Sequence, residues 1–129
     1  MVDWVFLRFI DILNKKIKRV VYRTPLRDPD NPRKRILGVW MRADFIRQFG
    51  KDTIVYEGGT LYIDPNHNQH KTGDEYTLST FIHELCHILL SDVLHERSVA
   101  RIEKLLFELF SPEQKKALAR FLPKQNEAS

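Results

Sequence analysis

Thr80-Phe81-Ile82-His83-Glu84-Leu85-Cys86-His87-Ile88-Leu89-Leu90 is the stretch whose reading decides the fold. Two histidines four residues apart share one face of an α-helix, and the acid that follows the first projects into the same cleft. In that H-E-x-x-H spacing His83 and His87 offer imidazole nitrogens to one metal ion, and Glu84 can take a proton from a metal-activated water. A random shuffle of this composition would give the pattern about 0.01 times. Leu78, Phe81, Ile82, Leu85, Ile88, Leu89 and Leu90 cover well over half of the helix circumference. That is the pattern of a central helix packed between a sheet and other helices, with one polar strip left for His83, Glu84 and His87. Thr72 and Glu75 stand at capping-box spacing, so the helix is expected to start near Thr72.

Upstream, Asp3 is expected to cap a first helix with Val2, Phe6, Phe9, Leu13 and Ile17 at helical spacing, ending near Lys16. Ile17 to Tyr22 is β-branched and reads as a first strand. Thr24 to Arg35 carries Pro25, Pro29 and Pro32 among Asp28, Asp30 and Asn31 and is expected to be an exposed loop. Ile36 to Met41 reads as a second strand, Asp44 to Phe49 as a short helical turn closed by Gly50, and Thr53 to Tyr56 as a third strand. Gly58-Gly59 is expected to make a hairpin turn into Thr60 to Asp64. His67 and His70 fall in the polar connection to the motif helix and read as loop residues. Downstream, a helix from about His95 to Phe110 has Val99, Ile102, Leu105, Leu106 and Leu109 as its core face. Ser111-Pro112-Glu113-Gln114 restarts a final helix running to about Leu122, with Pro123 ending it.

At 129 residues and 43% apolar, the chain is expected to form a single domain, 1–129. Val2 to Leu13 is interrupted by Asp3, Arg8 and Asp11 and falls short of the roughly 18 apolar residues that span a bilayer. With no basic leader or small-residue cleavage site, a cytoplasmic protein is expected. The single cysteine, Cys86, excludes an internal disulfide and, on the other side of the helix from the histidines, reads as a buried core thiol. Net charge is +4, but residues 1–52 carry 13 Lys/Arg against 6 Asp/Glu, whereas residues 53–129 carry 8 against 11. Lys15-Lys16-Ile17-Lys18-Arg19 and Arg33-Lys34-Arg35 make most of that difference. A patch for nucleic acid or acidic protein could form there, although no aromatic-interleaved motif accompanies it and solvated surface is the default.

A catalytic zinc site usually takes three protein ligands and leaves the fourth position to water. The extended pattern with Gly and His three and six residues beyond His87 is absent, since Leu90 and Val93 stand there. A Glu on the following helix remains, and the chain offers Glu96 and Glu103, seven residues apart and on one helix face. A tight helical hairpin centred near Val93 would bring Glu103 level with His83. Resemblance favours the other. From Ile36 to Met41, through Leu61-Tyr62-Ile63-Asp64, Thr80-x-x-His83-Glu84-Leu85-x-His87 and His95-Glu96-x-x-Val99, the chain resembles the minimal zincins, including the ImmA/IrrE-type peptidases. The resemblance covers about residues 36 to 110. It departs from the family at Cys86, where Gly or Ala is common, and in the short link between His87 and Glu96.

The resemblance implies an α+β fold, with a small twisted sheet packed on the central motif helix and C-terminal helices closing the other side. It implies a zinc-dependent metallopeptidase, with His83, His87 and Glu96 holding Zn²⁺ and Glu84 as general base. Thr60 to Asp64 would be the edge strand that pairs with an extended peptide or protein substrate. Tyr76, His95 and Arg97 are candidates to stabilise an oxyanion by nearness in sequence alone. The alternative is a metal-binding regulatory or DNA-associated module without significant turnover. SprT-like proteases, which also carry His-Glu-x-Cys-His, work beside DNA, so the basic first half is compatible with either.

Overall fold

Residues 2–65, 73–90 and 96–123 are described by the computed structural model, with side chains for all of these except 2, 73–76 and 96–98. Nine elements follow along them: helix α1 (Val2–Lys15), strands β1 (Arg19–Tyr22), β2 (Gly38–Met41), β3 (Phe45–Phe49), β4 (Asp52–Tyr56) and β5 (Thr60–Ile63), and helices α2 (Gly73–Leu89), α3 (Glu96–Leu109) and α4 (Pro112–Ala119). The fold is mixed α+β, as expected. β1, β5 and β2 form a sheet in that order, β1 parallel and β2 antiparallel to β5, while β3 and β4 pair as a separate hairpin.

β5 is buried at every residue. Its alternation sends Leu61 and Ile63 into a helical core and Tyr62 to the other face of the sheet. On the helical side, Phe9, Ile12 and Leu13 of α1 meet Phe81, Ile82 and Leu85 of α2, closed by Val99 and Leu106 of α3 and Leu118 of α4. Phe110 sits edge-on to both Phe6 and Phe9. On the opposite side Tyr62 packs with Leu26 and Tyr56, and Phe45 and Ile54 lean on them from the hairpin. α2 therefore lies in the middle, touching α1, α3, α4, β2 and β5. Among the described residues no helix is long and apolar enough to cross a membrane.

Three expectations are corrected. Thr60 to Asp64 is not the sheet's edge: β5 is hydrogen-bonded on both sides, so no ladder group along it is left for a substrate strand. Gly58-Gly59 is a turn but not a hairpin turn, because β5 inserts between β1 and β2 and does not fold back on β4. Gly59, at φ 79°, donates to the Met41 carbonyl and accepts from the Lys18 N–H, which seats it between the two flanking strands. The segment expected as a helical turn, Asp44 to Phe49, carries strand β3 from Phe45 to Phe49 instead. Gly50 has φ 61°, a conformation that serves a helix end and a two-residue hairpin turn equally, so the glycine did not discriminate. Pairing of Phe45 with Tyr56 and Phe49 with Asp52 decides the matter.

The loop before β2 is irregular, as its prolines require, and a buried carboxylate ties it down. Asp64 accepts from Thr24 Oγ1 at 2.8 Å and from the Leu26 N–H at 3.3 Å, with Arg35 Nη2 at 3.9 Å. The capping box at Ser111 forms as read: Ser111 Oγ accepts from the Gln114 N–H, and Gln114 Oε1 accepts from the Ser111 N–H. α4 ends at Ala119, short of Leu122, because its last turn tightens into bonds from Phe121 to Leu118 and from Leu122 to Ala119.

Candidate metal centre

From Thr77 to Ile88, α2 is buried at every residue except Ser79, His83 and His87, which are half-buried. Their spacing of four makes one continuous strip along the helix. It differs from the expected strip, because Glu84 is not in it; that residue is 9% exposed and faces the sheet instead. The reason is Gly38 of β2. A Cβ added there would stand 2.8 Å from Glu84 Cγ and 3.3 Å from Glu84 Oε2, so the carboxylate arm occupies the space that a side chain would fill. A glycine inside a strand is a sequence sign of close approach, and it was the available signal for this contact.

His83 Nε2 and His87 Nε2 are 3.1 Å apart, with the rings inclined at 69°. Two nitrogens each at about 2.05 Å from a tetrahedral zinc would be roughly 3.3 Å apart. The pair is thus at ligating separation without rearrangement. His83, Glu84 and His87 together bring donor atoms within 4.8 Å of one another.

Glu103 comes to this group from α3. Its Oε1 is 3.7 Å from His83 Nδ1, and its Oε2 accepts from Ser79 Oγ at 2.9 Å. The carboxylate therefore sits behind the His83 ring, on the nitrogen opposite the one that meets His87. At 3.7 Å this is an ion-pair contact and not a hydrogen bond, and a carboxylate on that nitrogen could orient the ring if His83 held a metal. Spacing singled out Glu103 as facing α2; its anchor, Ser79, carried no sequence signal. The Glu96 side chain lies outside the described residues, as do the side chains of Tyr76 and Arg97, the residues His67, His70 and His95, and the Thr72–Glu75 capping pair.

Cys86 is 1% exposed and stands apart from the His83, Glu84 and His87 group. Burial pushes its thiol up to about 12, and the carboxylates of Glu103 and Glu84 add to the effect. At neutral pH it is protonated, as befits a core thiol. Arg33, Lys34 and Arg35 are exposed, as are Lys15, Lys16, Lys18 and Arg19. Part of that charge is paired: Lys15 with Asp11, Arg19 with Glu57 and Arg35 with Asp64. No family model matches the chain, and comparisons with curated proteins and with solved structures find no significant match.

Proposed function

We propose that the chain is a zinc-dependent peptidase of zincin-like architecture. The observation that carries this is the 3.1 Å approach of His83 Nε2 to His87 Nε2 with the Glu84 carboxylate on the adjacent face of the same helix. Imidazole pairs at that separation suit zinc, and a bound zinc ion supplies Lewis acidity that brings the pKa of a water toward about 7. Glu84 would serve as the proton acceptor for a water adding to the scissile carbonyl carbon. The same carboxylate would pass that proton to the amide nitrogen as the C–N bond breaks, leaving a free amine and a carboxylate product. Gly38 leaves the space that the Glu84 arm occupies.

Glu96 remains the third ligand in this reading, and helix register supports it. Glu103 meets Ser79 and His83, at a level near residue 81 of α2. α3 returns along α2 after a short connection, so seven residues toward its start moves roughly 10 Å toward the end of α2. Position 96 then falls level with about residue 88, next to His87.

The peptide would lie along β2, an edge of the sheet among the described residues and the strand against Glu84. The Leu37 carbonyl accepts from the Asp64 N–H, which points residue 37 at β5 and, by antiparallel alternation, turns the main-chain groups of Gly38 and Trp40 outward. An extended chain adding there gains main-chain bonds whatever its sequence. Glu84→Gln tests the mechanism: it keeps the side-chain shape, so zinc content by elemental analysis should stay near one per chain while casein hydrolysis disappears. Hydrolysis at the wild-type rate in Glu84→Gln would sink the proposal.

A further inference from the structure

The outer end of the β2 edge opens into a cavity that the hydrolytic step does not use. Its volume is about 660 Å³, and Trp40, Ile88, Lys16, Lys18, Arg42 and Asp44 line it. Ile88 stands one turn after Glu84 on α2, about 6 Å along the axis. Trp40 stands two residues after Gly38 on β2, about 6.6 Å along the strand. Helix and strand thus advance in step from the Glu84–Gly38 contact to the cavity, which lies about two residues along any extended chain seated on β2.

The lining is predominantly basic. Three cations face one carboxylate, and Asp44 already accepts from the Gly58 N–H at 2.8 Å. The Lys18 stem lies across Gly59, its Cγ and Cδ covering the place where a side chain would begin, so its ammonium is carried on a packed arm. None of Lys16, Lys18 or Arg42 has an ion-pair partner among the described salt bridges, in contrast to Lys15, Arg19 and Arg35. Trp40 packs against the helical core and offers an apolar wall.

We infer that this cavity is a specificity pocket for an acidic side chain, and that the substrates are peptides with Asp or Glu about two residues from the scissile bond. The inference rests on the proposed role of β2 as substrate strand. The aliphatic stem of the acidic residue lies on Trp40 and Ile88, and its carboxylate meets Lys16, Lys18 and Arg42. Such a pocket adds what main-chain pairing lacks, a preference among sequences.

The test uses the zinc-loaded full chain carrying Glu84→Gln, so that peptide is bound but not cut, and Trp4→Phe, which leaves Trp40 as the sole tryptophan reporter. The probes are a ten-residue Asp-rich peptide, its Asn-substituted counterpart and its Lys-substituted counterpart. The Asp-rich peptide should change Trp40 emission and bind about tenfold more tightly than the Asn form. Lys16→Glu with Arg42→Glu, which spares the packed Lys18 stem, should invert the preference toward the Lys-rich peptide; unchanged thermal melting shows that the variant is folded. Equal affinity for the three peptides, binding without a Trp40 signal, or a charge-reversed variant with the original preference overturns the inference. So does tighter, salt-sensitive binding of a 20-base-pair duplex that the same reversal abolishes, which would assign the pocket to nucleic acid. If the acidic preference holds but protein with Glu84 intact cuts none of the peptides, the pocket stands and the peptidase reading falls.

Discussion

Gly38→Ala separates the two halves of the proposed site. The new Cβ would stand 2.8 Å from Glu84 Cγ and 3.2 Å from its Cδ, whereas carbon atoms settle at about 3.5–4.0 Å. Glu84 or β2 must therefore yield by about 1 Å. Overpacking of this kind costs about 1–3 kcal/mol of stability, and a displacement near 1 Å in a reacting group can cost about 10²-fold in rate. The clash is with Glu84 Cγ and Cδ and with no atom of His83 or His87, so zinc affinity should move by less than about threefold. The assay is kcat/KM for a fluorogenic peptide at saturating zinc, beside zinc titration against a chelating dye. Gly50→Ala is the control: nothing lies within 4 Å of its added Cβ, but φ of 61° costs about 1–2 kcal/mol, so it should lower stability and leave activity intact. If Gly38→Ala retains wild-type kcat/KM, or loses zinc in parallel with activity, Gly38 does not set the position of the base.

Other expectations follow from the same contacts. Glu103→Gln, which keeps the bond from Ser79 but removes the charge behind His83, should weaken zinc affinity about 10- to 100-fold, and Glu96→Ala should weaken it further; dye competition ranks them, and the reverse order would make Glu103 the third ligand. Cys86 should resist a thiol reagent at pH 8 until the protein is unfolded. Because its folded value of about 12 lies above the ordinary 9.0, the folded state keeps a proton that the unfolded chain releases. Its contribution to stability is therefore complete below pH 9 and shrinks as pH rises from there toward 12; denaturant midpoints should fall more steeply over that window than in Cys86→Ala, and parallel curves would contradict the assignment. Asp64→Ala, which strands Thr24 Oγ1 and the Leu26 N–H, should cost about 2–4 kcal/mol in urea unfolding, and a loss under about 0.5 kcal/mol would show that the loop is held by other contacts.

Most helices were legible because their signals are local. The period of Phe9 and Leu13, the Ser111–Gln114 box and the apolar surround of His83 each lie within a few turns of sequence, and the helices appear there within a few residues. Strand order was not legible. β5 is bounded by glycines that resemble a hairpin turn, yet its partners Arg19–Tyr22 and Gly38–Met41 come from the distant first third of the chain. Nothing in Leu61-Tyr62-Ile63 says which strands lie beside it. Burial on both faces is the trace that a central position leaves, and Thr60-Leu61-Tyr62-Ile63 does lack the charged residue that an edge usually carries. The candidate site divides in the same way. His83, Glu84 and His87 were fixed by spacing on one helix, but Gly38 and Ser79 enter only through tertiary contact, and they decide which way each functional side chain is held.

That division has a mechanical consequence. α2 presents Ser79 and His83 to Glu103 of α3, whose Oε1 lies 3.7 Å from His83 Nδ1, and its glutamate to β2, where Gly38 makes room for it. If the proposed function holds, metal retention and proton transfer would rest on different neighbours, although the residues concerned fall within five consecutive positions. A change on α3 that spares the helix, such as Glu103→Gln, should act on zinc affinity first; a change on β2, such as Gly38→Ala, should act on rate first. Combining the two should give nearly additive losses, since Ser79–Glu103 and Gly38–Glu84 share no partner. Strong non-additivity in that double variant would mean that α2 shifts as a rigid rod between α3 and the sheet, and the ligands and the base would then be one mechanical unit rather than two.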